Sequence, residues 1–285
     1  MSAPLADRRL VAVTGGTIGV REIGNGQPVV FIHGLVANGL TWRNVVPDLA
    51  GGVRCIAPDF PLGAHTPAMP EADLTLRGQA RILVDLLDAL DIPCAVIVGT
   101  GYGGDIAQMV AAEHPDRVTA LVLIATNAFD SDPWPTKVLG WLGRPPGAAA
   151  VLARAVRIRR LMRLPITYGW ATKYPIPDGI MAAYTDPVRN DPAVRSDLLR
   201  FLRGLSPEYL AEASPRLASF GKPALVVWPT EDRVFPAEGA RRLVDTMPRA
   251  ELVEVGDSYS WVAEDQPDEL VTALRGFLRE KVVRS

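Results

Sequence analysis

Apolar and polar residues follow two different patterns along this chain, and the patterns predict two kinds of structure. Between residues 29 and 124, short apolar runs such as 29–32 alternate with stretches such as 76–90, where leucines recur at helical spacing. A short apolar run without polar alternation is typical of a strand that is buried on both faces of a sheet. We therefore predict an α/β fold with a mostly parallel, doubly wound sheet whose strands are joined by helices.

The same pattern gives approximate bounds for the individual elements. Apolar runs bounded by turn residues predict strands at 10–13, 17–22, 29–32, 53–57, 95–98, 118–124, 224–228 and 251–255. Helical spacing predicts helices at 42–49, 76–90, 237–245 and 268–279. A further helix is predicted from the glycines after residue 98 to about residue 114. Gly15 and Gly16 separate the first two strands, which are therefore expected to pair as a hairpin.

Residues 131–213 interrupt this alternation. They contain no convincing strand pattern, and prolines divide a mostly helical pattern into short pieces. We interpret this region as a helical cap that is inserted into the sheet domain. The predicted organisation is a core made of residues 1–130 and 214–285, with the cap at 131–213 between its two parts.

Composition limits the classes of protein that remain. The chain has 285 residues, of which 48% are apolar and 22% charged, and its formal net charge is −2. This balance gives no indication of nucleic-acid binding. No apolar run reaches the ~18 residues of a membrane span, and the N-terminus has no signal-peptide pattern. Cys55 and Cys94 are expected to be free thiols, which fits a cytoplasmic protein with no membrane partner.

Three closely spaced glycines follow the predicted strand at 95–98. Gly99, Gly101 and Gly103 have the G-x-nucleophile-x-G spacing of a nucleophile elbow, which is a sharp turn between a strand and a helix. In such a turn the outer glycines allow the strand and the helix to approach closely, and the middle residue presents its side chain to the site. The middle residue here is Gly101, so the turn carries no reactive side-chain atom.

Several stretches of this sequence together resemble a known family. The order of strand, His-Gly pair, elbow, helical region and late acid resembles the α/β-hydrolase fold, and in particular the haloalkane dehalogenases and epoxide hydrolases. The stretches that carry the resemblance are His33-Gly34 with Trp42-Arg43-Asn44 and Pro47, Cys55-Ile-Ala-Pro-Asp59 with Gly63, and Gly103-Gly104-Asp-Ile-Ala-Gln108 with His114-Pro115-Asp-Arg-Val118. The resemblance covers residues 8–130 and 214–280 well, and the predicted cap only loosely.

The resemblance implies a catalytic triad that this chain matches only in part. In the family, the elbow residue is a nucleophile, a late histidine activates water, and an acid that follows a strand orients the histidine. Asp232, just after the predicted strand at 224–228, matches the acid. The histidine would stand about seven residues before Pro267, where this chain has Ser260. We therefore interpret Gly101 and Ser260 as vacated nucleophile and base positions.

Four side chains are candidates for proton transfer in such a site. The resemblance points first to Asp232. His65 follows the fourth predicted strand and is expected at the same edge of the sheet as the elbow, with ordinary hydrogen bonding within its loop as the alternative. Tyr102 flanks the elbow apex, and Asp130 follows the sixth predicted strand, where it is either an acid of the site or a cap of the loop. The remaining histidines, His33 and His114, are expected to be structural.

Backbone and aromatic groups complete the expected site. The resemblance implies that the backbone N–H groups of Leu35 and Tyr102 form an oxyanion hole. Without a nucleophile and an imidazole, the pocket is expected to be enlarged. The aromatic residues expected in its wall, each with core packing as the alternative, are Trp42, Phe129, Trp134, Trp170 and Trp261.

Loss of either the nucleophile or the base lowers the rate of a triad enzyme by roughly a million-fold. By resemblance to members of the superfamily that lack a triad, we predict a non-hydrolytic enzyme that acts on an apolar, polyketide-like small molecule. Cyclisation, addition, elimination and carbon–carbon bond formation are the expected reaction types. Two alternatives stay open: an inactive ligand-binding relative, and a hydrolase of epoxides, esters or haloalkanes with a non-standard site. No motif indicates a cofactor or a metal, and both a monomer and a homodimer are compatible with the sequence.

Overall fold

The computed structural model describes residues 7–129 and 167–282, and between them the single positions 138, 145 and 164. Within these segments, eight strands form one sheet. The strands are β1 Arg9–Val13, β2 Gly16–Ile23, β3 Gln27–Ile32, β4 Val53–Asp59, β5 Ala95–Thr100, β6 Val118–Ile124, β7 Ala224–Pro229 and β8 Ala250–Val255. Each strand predicted from the sequence overlaps one of these.

The sheet has the strand order β1-β2-β4-β3-β5-β6-β7-β8. The strands β1, β2 and β4 pair in antiparallel fashion, and β3 to β8 are parallel to one another. The first two strands form the predicted hairpin, in which Val13 pairs with Gly16. The carboxyl ends of the parallel strands lie together at one edge of the sheet, which we call the carboxyl edge. Ligands of open α/β sheets bind outside this edge.

Helices connect the strands in the alternation that the sequence predicts. Numbered through the described residues, they are α1 Val46–Leu49, α2 Leu76–Ala89, α3 Tyr102–Glu113, α4 Tyr168–Ala171, α5 Asp178–Asn190, α6 Pro192–Arg203, α7 Glu208–Arg216, α8 Ala237–Thr246, α9 Val262–Asp265 and α10 Pro267–Lys281. The short helix α9 has no counterpart among the sequence-based predictions, since one turn of helix gives no measurable periodicity.

Residues 42–49 do not form the single helix that the pattern predicts. A 3-10 turn at Gly39–Trp42 precedes the short helix α1 instead. The Asn38 side chain accepts a hydrogen bond from the Leu40 amide, which starts the turn early. Pro47 has no N–H for a helical hydrogen bond to an earlier carbonyl, so a new helix begins beside it.

Helices are the only regular secondary structure described between β6 and β7, and loops connect them. This part of the chain contributes α4, α5, α6 and α7, and no strand occurs in its described residues. This agrees with the helical character predicted for residues 131–213, although α7 runs across residue 213. The division of the chain at residues 130 and 213 stays a prediction. Asp130 and Trp134 lie outside the described residues.

Apolar residues on the two faces of the sheet form two separate cores. Along β3, Val30 and Ile32 belong to one core, and Val29 and Phe31 belong to the other. This alternation follows from the period of two in a strand, and it explains why each strand reads as a continuous apolar run. No helix within the described segments combines the length and the apolar character needed to cross a bilayer.

Candidate functional site

The elbow joins β5 to α3 at the carboxyl edge. Gly101 lies between the two elements with φ 54° and ψ −127°, a conformation that L residues rarely adopt. Its amide donates to the Ala125 carbonyl at 3.0 Å. Its own carbonyl accepts from the Gly104 amide at 2.9 Å and lies 2.9 Å from the hydroxyl oxygen of Thr126. The turn is therefore held by hydrogen bonds to its own helix and to the end of β6.

Packing requires the outer glycines of the elbow but not the middle one. A Cβ atom on Gly99 would lie 2.2 Å from the Gly103 carbonyl oxygen, and a Cβ on Gly103 would lie 2.4 Å from that of Ile32. On Gly101, by contrast, the described residues beyond its chain neighbours place one heavy atom within 4 Å, the Gly34 Cα at 3.8 Å. The described residues thus leave space above the apex, where the elbow of a hydrolase presents its nucleophile.

Two backbone amides lie where the resemblance places the oxyanion hole. Leu35 is in the turn after β3, and no described residue accepts a hydrogen bond from its N–H. The neighbouring Val36 fixes this turn, since its amide donates to the Leu62 carbonyl at 2.8 Å and its φ is 48°. Tyr102 is the first residue of α3, and N–H groups at the start of a helix are not used by the helix itself.

Asp232 and Ser260 are in direct contact, and we call them the Asp232 pair. Oδ1 of Asp232 accepts hydrogen bonds from the Ser260 hydroxyl at 2.8 Å and from the amides of Val234 and Phe235 at 2.7 and 2.8 Å. Oδ2 is buried and has no hydrogen-bond partner among the described residues. Burial raises the pKa of Asp232, and the three hydrogen bonds offset part of that rise. The pair therefore holds a carboxylate oxygen with unused acceptor capacity.

A second buried carboxylate, which sequence reasoning missed, lies in the first turn of α3. Asp105 is 1% exposed. Its Oδ1 accepts from the Thr126 hydroxyl at 2.7 Å and the Asn127 amide at 3.2 Å, and its Oδ2 accepts from the Asn127 side chain at 2.8 Å. Burial raises its pKa to about 6, against the effect of these bonds. We call Asp105, Thr126 and Asn127 the Asp105 cluster, and it ties the end of β6 to the elbow helix.

The structure gives His33 the structural position that was expected. Its Nδ1 donates to the Gly34 carbonyl at 2.8 Å, and its Nε2 accepts from the Phe60 amide at 2.8 Å. Burial lowers the pKa of His33 to about 4, so the ring is neutral at physiological pH. His33 thereby fixes the chain just before Leu35. His114 lies at the C-terminal end of α3, where its amide donates to Val110.

His65 pairs with an acid that was not singled out from the sequence. Its Nε2 lies 3.1 Å from Oδ2 of Asp197, which belongs to α6, and both side chains are buried. Its Nδ1 is also buried and has no hydrogen-bond partner among the described residues. The partner is 132 residues away along the chain, so no local pattern could have shown the contact.

The aromatic residues predicted for the pocket wall separate into different environments. Trp261 lies against the backbone of Gly34, with its Nε1 3.6 Å from the position that a Cβ there would occupy. Phe129 follows β6 with the Arg242 guanidinium 4.3 Å from its ring centre, and Trp170 is half-buried in α4. The prediction for Trp42 is wrong. Its ring packs against Phe31 at 5.3 Å in the other core, because the turn at Gly39–Trp42 directs it there.

Trp261 is held by residues of the helical region. Its ring meets Tyr168 and Tyr184 edge-on, with ring centres 5.4 and 5.9 Å apart, and its amide donates to the Ala171 carbonyl at 2.8 Å. Tyr184 also donates to Glu264 at 2.9 Å. Among the described residues, no group of three or more histidine, cysteine or acidic side chains is arranged to hold a metal ion.

Arg43 completes this network from the core side. Its two terminal nitrogens lie 2.6 Å from the two carboxylate oxygens of Glu264. Such a bidentate pair is among the stronger polar contacts in proteins. Arg43, Tyr184 and Glu264 thereby join α5 to the core behind Trp261.

Comparison with known proteins agrees with this architecture. A family model described as the alpha/beta hydrolase fold matches residues 27–267. The cis-3-alkyl-4-alkyloxetan-2-one decarboxylase of Shewanella oneidensis is 29% identical, over 96% of this chain and 88% of that protein. Haloalkane dehalogenase 2 of Mycobacterium tuberculosis is 27% identical, over 91% of this chain and 90% of that protein. The relatives thus include a decarboxylase and dehalogenases.

Solved structures show the same fold. The haloalkane dehalogenase DbeA from Bradyrhizobium elkani superposes with a TM-score of 0.82 at 23% identity, covering 98% of this chain and 99% of that chain. The haloalkane dehalogenase DatA from Agrobacterium tumefaciens gives a TM-score of 0.81 at 22% identity, with 97% of each chain covered. The predicted resemblance to this branch is confirmed at the level of fold. Because the family model matches most of its length, the chain belongs to the α/β-hydrolase fold family.

Proposed function

We propose that this protein is a non-hydrolytic enzyme that moves protons on an apolar, polyketide-like carbonyl compound without forming a covalent intermediate. The observation that carries this proposal is the Asp232 pair. One oxygen of the Asp232 carboxylate is buried and has no hydrogen-bond partner in the described part of the chain, and burial raises the pKa of this group. A carboxylate with a raised pKa is a stronger base than an ordinary aspartate, and proton transfer is most efficient when the pKa of the base approaches the working pH.

The proposal takes Gly101 and Ser260 as the positions of the family's nucleophile and histidine. Glycine has no side chain to attack a carbonyl carbon, and the Ser260 hydroxyl is already a donor to Asp232. Neither residue supplies the two steps of covalent hydrolysis, in which an ester intermediate forms and is then cleaved by activated water. The open space above Gly101 is available to the ligand instead.

In the proposed mechanism, the carbonyl oxygen of the ligand accepts hydrogen bonds from the amides of Leu35 and Tyr102. Asp232 takes the proton from the carbon next to the carbonyl, and the electron pair of the broken C–H bond moves onto the carbonyl oxygen. The two amides stabilise this enolate, because they are already oriented toward the charge that develops. The enolate then reacts further or regains a proton from Asp232.

The relatives support the proposed ligand class. The Shewanella oneidensis relative is named for an oxetan-2-one with two alkyl substituents. Such a compound is apolar and carries a carbonyl oxygen, which are the two properties that this site is proposed to recognise. Trp261 and Phe129 would offer apolar surface to such a ligand.

The experiment uses 2-tetralone, an apolar bicyclic ketone with acidic protons beside its carbonyl. We expect the protein to exchange these protons for deuterium in D2O faster than buffer or heat-denatured protein does, as measured by proton NMR. In parallel, nitrophenyl esters, epoxides and haloalkanes should show no turnover above background. Turnover of one of these would contradict the proposal in favour of hydrolysis. Binding of 2-tetralone without exchange would identify a ligand-binding protein.

A further inference from the structure

A buried imidazole–carboxylate pair joins the loop after β4 to helix α6. His65 belongs to that loop and Asp197 to the helix, and each is at most 2% exposed. Oδ2 of Asp197 accepts a hydrogen bond from the Met69 amide at 2.7 Å, in addition to its contact with His65. Its Oδ1 lies 3.2 Å from the Arg200 guanidinium, which also donates to the Met69 carbonyl. The carboxylate is therefore fixed on both sides.

The surroundings of Asp197 determine which nitrogen of His65 carries a proton. Burial opposes ionisation, but the hydrogen bonds from His65 and Met69 outweigh it and lower the pKa of Asp197. An ionised carboxylate accepts and does not donate, so Nε2 of His65 carries a proton that it donates to Asp197. Nδ1 is the nitrogen that can gain or release a proton, and it is buried with no hydrogen-bond partner among the described residues. A base whose other nitrogen is oriented by a carboxylate is the arrangement found in acid–base catalysis.

Contacts of α6 place this pair beside the elbow. Asp197 and Phe201 are one turn apart and lie on the same face of the helix. The Phe201 ring meets Tyr102 edge-on, with ring centres 5.3 Å apart. Leu198 of the same helix covers Gly63, where a Cβ would lie 3.1 Å from its side chain. The helix thus spans from the loop of His65 to the first residue after Gly101.

The proposed oxyanion hole lies close to the pair as well. His33 and His65 both belong to loops that follow neighbouring parallel strands, β3 and β4, and His33 fixes the chain just before Leu35. His65, the elbow and Leu35 all follow carboxyl ends of parallel strands, β4, β5 and β3. The pair is therefore built into the same edge of the sheet as the Asp232 pair.

We propose that His65, oriented by Asp197, is a second proton-transfer group of this site, and that the site eliminates water from a β-hydroxycarbonyl compound. This inference rests on the proposed function, in which Asp232 removes the proton beside the carbonyl. The C–H electron pair becomes the new C=C bond, the C–O bond to the hydroxyl breaks, and the protonated His65 gives its Nδ1 proton to the leaving hydroxyl. One proton leaves the substrate and one is returned, so an enone and water result. The proton on Asp232 then returns to His65 through solvent.

The test compares two reactions in two variants. The probes are 2-tetralone, whose deuterium exchange needs Asp232 alone, and 4-hydroxy-4-phenylbutan-2-one, whose dehydration to the conjugated enone needs both groups and is followed by absorbance. In His65→Gln the side-chain amide still reaches Asp197 as a donor, but no titrating nitrogen remains. We expect dehydration to fall ~100-fold while exchange stays within about threefold. The matched control is His114→Gln, which should leave both rates unchanged.

A spectroscopic measurement tests the orienting role of Asp197 separately. With nitrogen-15-labelled histidine the chain gives ring-nitrogen signals from three imidazoles, those of His33, His65 and His114, with an Nδ1 and an Nε2 signal from each. In wild type the neutral His65 ring should carry its proton on Nε2. Asp197→Asn removes the carboxylate that stabilises a ring protonated on both nitrogens. The new amide can also donate to Nε2, so His65 can no longer act as the acid, which should abolish dehydration in a folded protein. 2-Naphthol, which resembles the enol of 2-tetralone, should shift the Nδ1 signal of His65 and not that of His114.

The outcomes separate this inference from the proposed function. Two outcomes would overturn the inference while wild type still exchanges the protons of 2-tetralone. In the first, wild type does not dehydrate the hydroxyketone, and in the second, His65→Gln dehydrates it as fast as wild type does. In either case the pair of His65 and Asp197 is structural only. The same conclusion follows if 2-naphthol binds without affecting His65. If wild type does not exchange 2-tetralone, the proposed function fails first and the inference falls with it.

Discussion

Asp105 is buried and Asp232 is half-buried at the carboxyl edge of the sheet, and burial raises the pKa of both carboxyl groups. The two environments differ in how the carboxylate oxygens are used. Both oxygens of Asp105 accept hydrogen bonds, and the donors come from the end of β6. One oxygen of Asp232 accepts three bonds and the other accepts none from any described residue. A raised pKa alone therefore does not distinguish the two acids, and the unpartnered oxygen is the difference on which the proposed proton-transfer role of Asp232 rests.

The largest effect is expected from removing the structural acid. Asp105→Ala would leave the Asn127 amide and side chain without their acceptor in a dry environment. Since unsatisfied buried donors and the loss of charge-assisted bonds each cost free energy, we expect the free energy of unfolding to fall by about 3–5 kcal/mol. Urea denaturation followed by circular dichroism measures this. Asp105→Asn keeps the shape and one acceptor, and it should lose less than half as much. A loss below ~1 kcal/mol in Asp105→Ala would contradict the structural assignment.

The buried Asp105 should also make the stability of the protein depend on pH. The pKa of Asp105 rises from 3.8 to about 6 on folding, so between these values the native state binds more protons than the unfolded state. The contribution of Asp105 to stability is therefore fully present below pH 3.8 and is lost as the pH rises to about 6. The expected loss is about 3 kcal/mol at 1.36 kcal/mol per pKa unit. Between pH 3.8 and about 6, the unfolding free energy of wild type should decline relative to that of Asp105→Asn. If the two proteins show parallel curves of unfolding free energy against pH, the raised pKa of Asp105 is refuted.

Replacing the chemical acid should change rate and leave stability nearly intact. Asp232→Asn keeps the shape of the side chain but removes the base, so deuterium exchange of 2-tetralone should fall ~100-fold while the ketone still binds. The unfolding free energy should change by less than ~1 kcal/mol, because a buried carboxylate with a raised pKa contributes little net stability at neutral pH. Asp116→Asn, an exposed acid with the same change in charge, is the control. If folded Asp232→Asn keeps full exchange activity, Asp232 is not the base that removes the proton beside the carbonyl.

The smallest effect is expected at Ser260. Ser260→Ala removes one of three donors to Asp232, which should raise the pKa of this carboxylate further. The two backbone amides still donate to Oδ1, so this rise is the smallest change in the series. In the pH profile of deuterium exchange, the decrease in rate on the acidic side should therefore begin at a slightly higher pH. The maximal rate above that pH should stay the same. Ser258→Ala, which removes a hydroxyl that donates to the Tyr259 carbonyl instead, should leave the profile in place. Loss of the plateau in Ser260→Ala would make Ser260 itself a reacting group.

Local pattern was sufficient to predict most of the fold. The strand predicted at 118–124 is β6 as observed, and the elbow lies where three glycines follow an apolar run. Asp232 and Ser260 could also be placed side by side, since each was identified by its offset from a family motif. These successes share one cause, which is that strand period, turn glycines and motif spacing are properties of short segments.

The groups that sequence reasoning missed depend on contacts between distant segments. Nothing near Asp197 indicates that His65 would meet it, and an acid in the first turn of a helix, like Asp105, is normally explained by the helix dipole. The prediction that Trp42 lines the pocket failed for a related reason. A helix predicted at 42–49 gives no information on which face of the sheet the ring will cover, and the side-chain cap at Asn38 changed the local geometry.

The open apex at Gly101 bears on how this protein could change by mutation. Every glycine codon is a single base change away from a codon for Asp or Glu, so a carboxylate at this position is genetically close. Packing offers no barrier to it, in contrast to Gly99 and Gly103, and the cost is limited to the backbone conformation, about 1–3 kcal/mol. Under the proposed assignment of Ser260 to the family's histidine position, such a change would introduce a nucleophile with no imidazole beside Asp232 to activate water against its ester. We expect a chain with this mutation to be alkylated once by an epoxide or a haloalkane and to keep the ester, which turns the apex into a site for trapping reactive compounds.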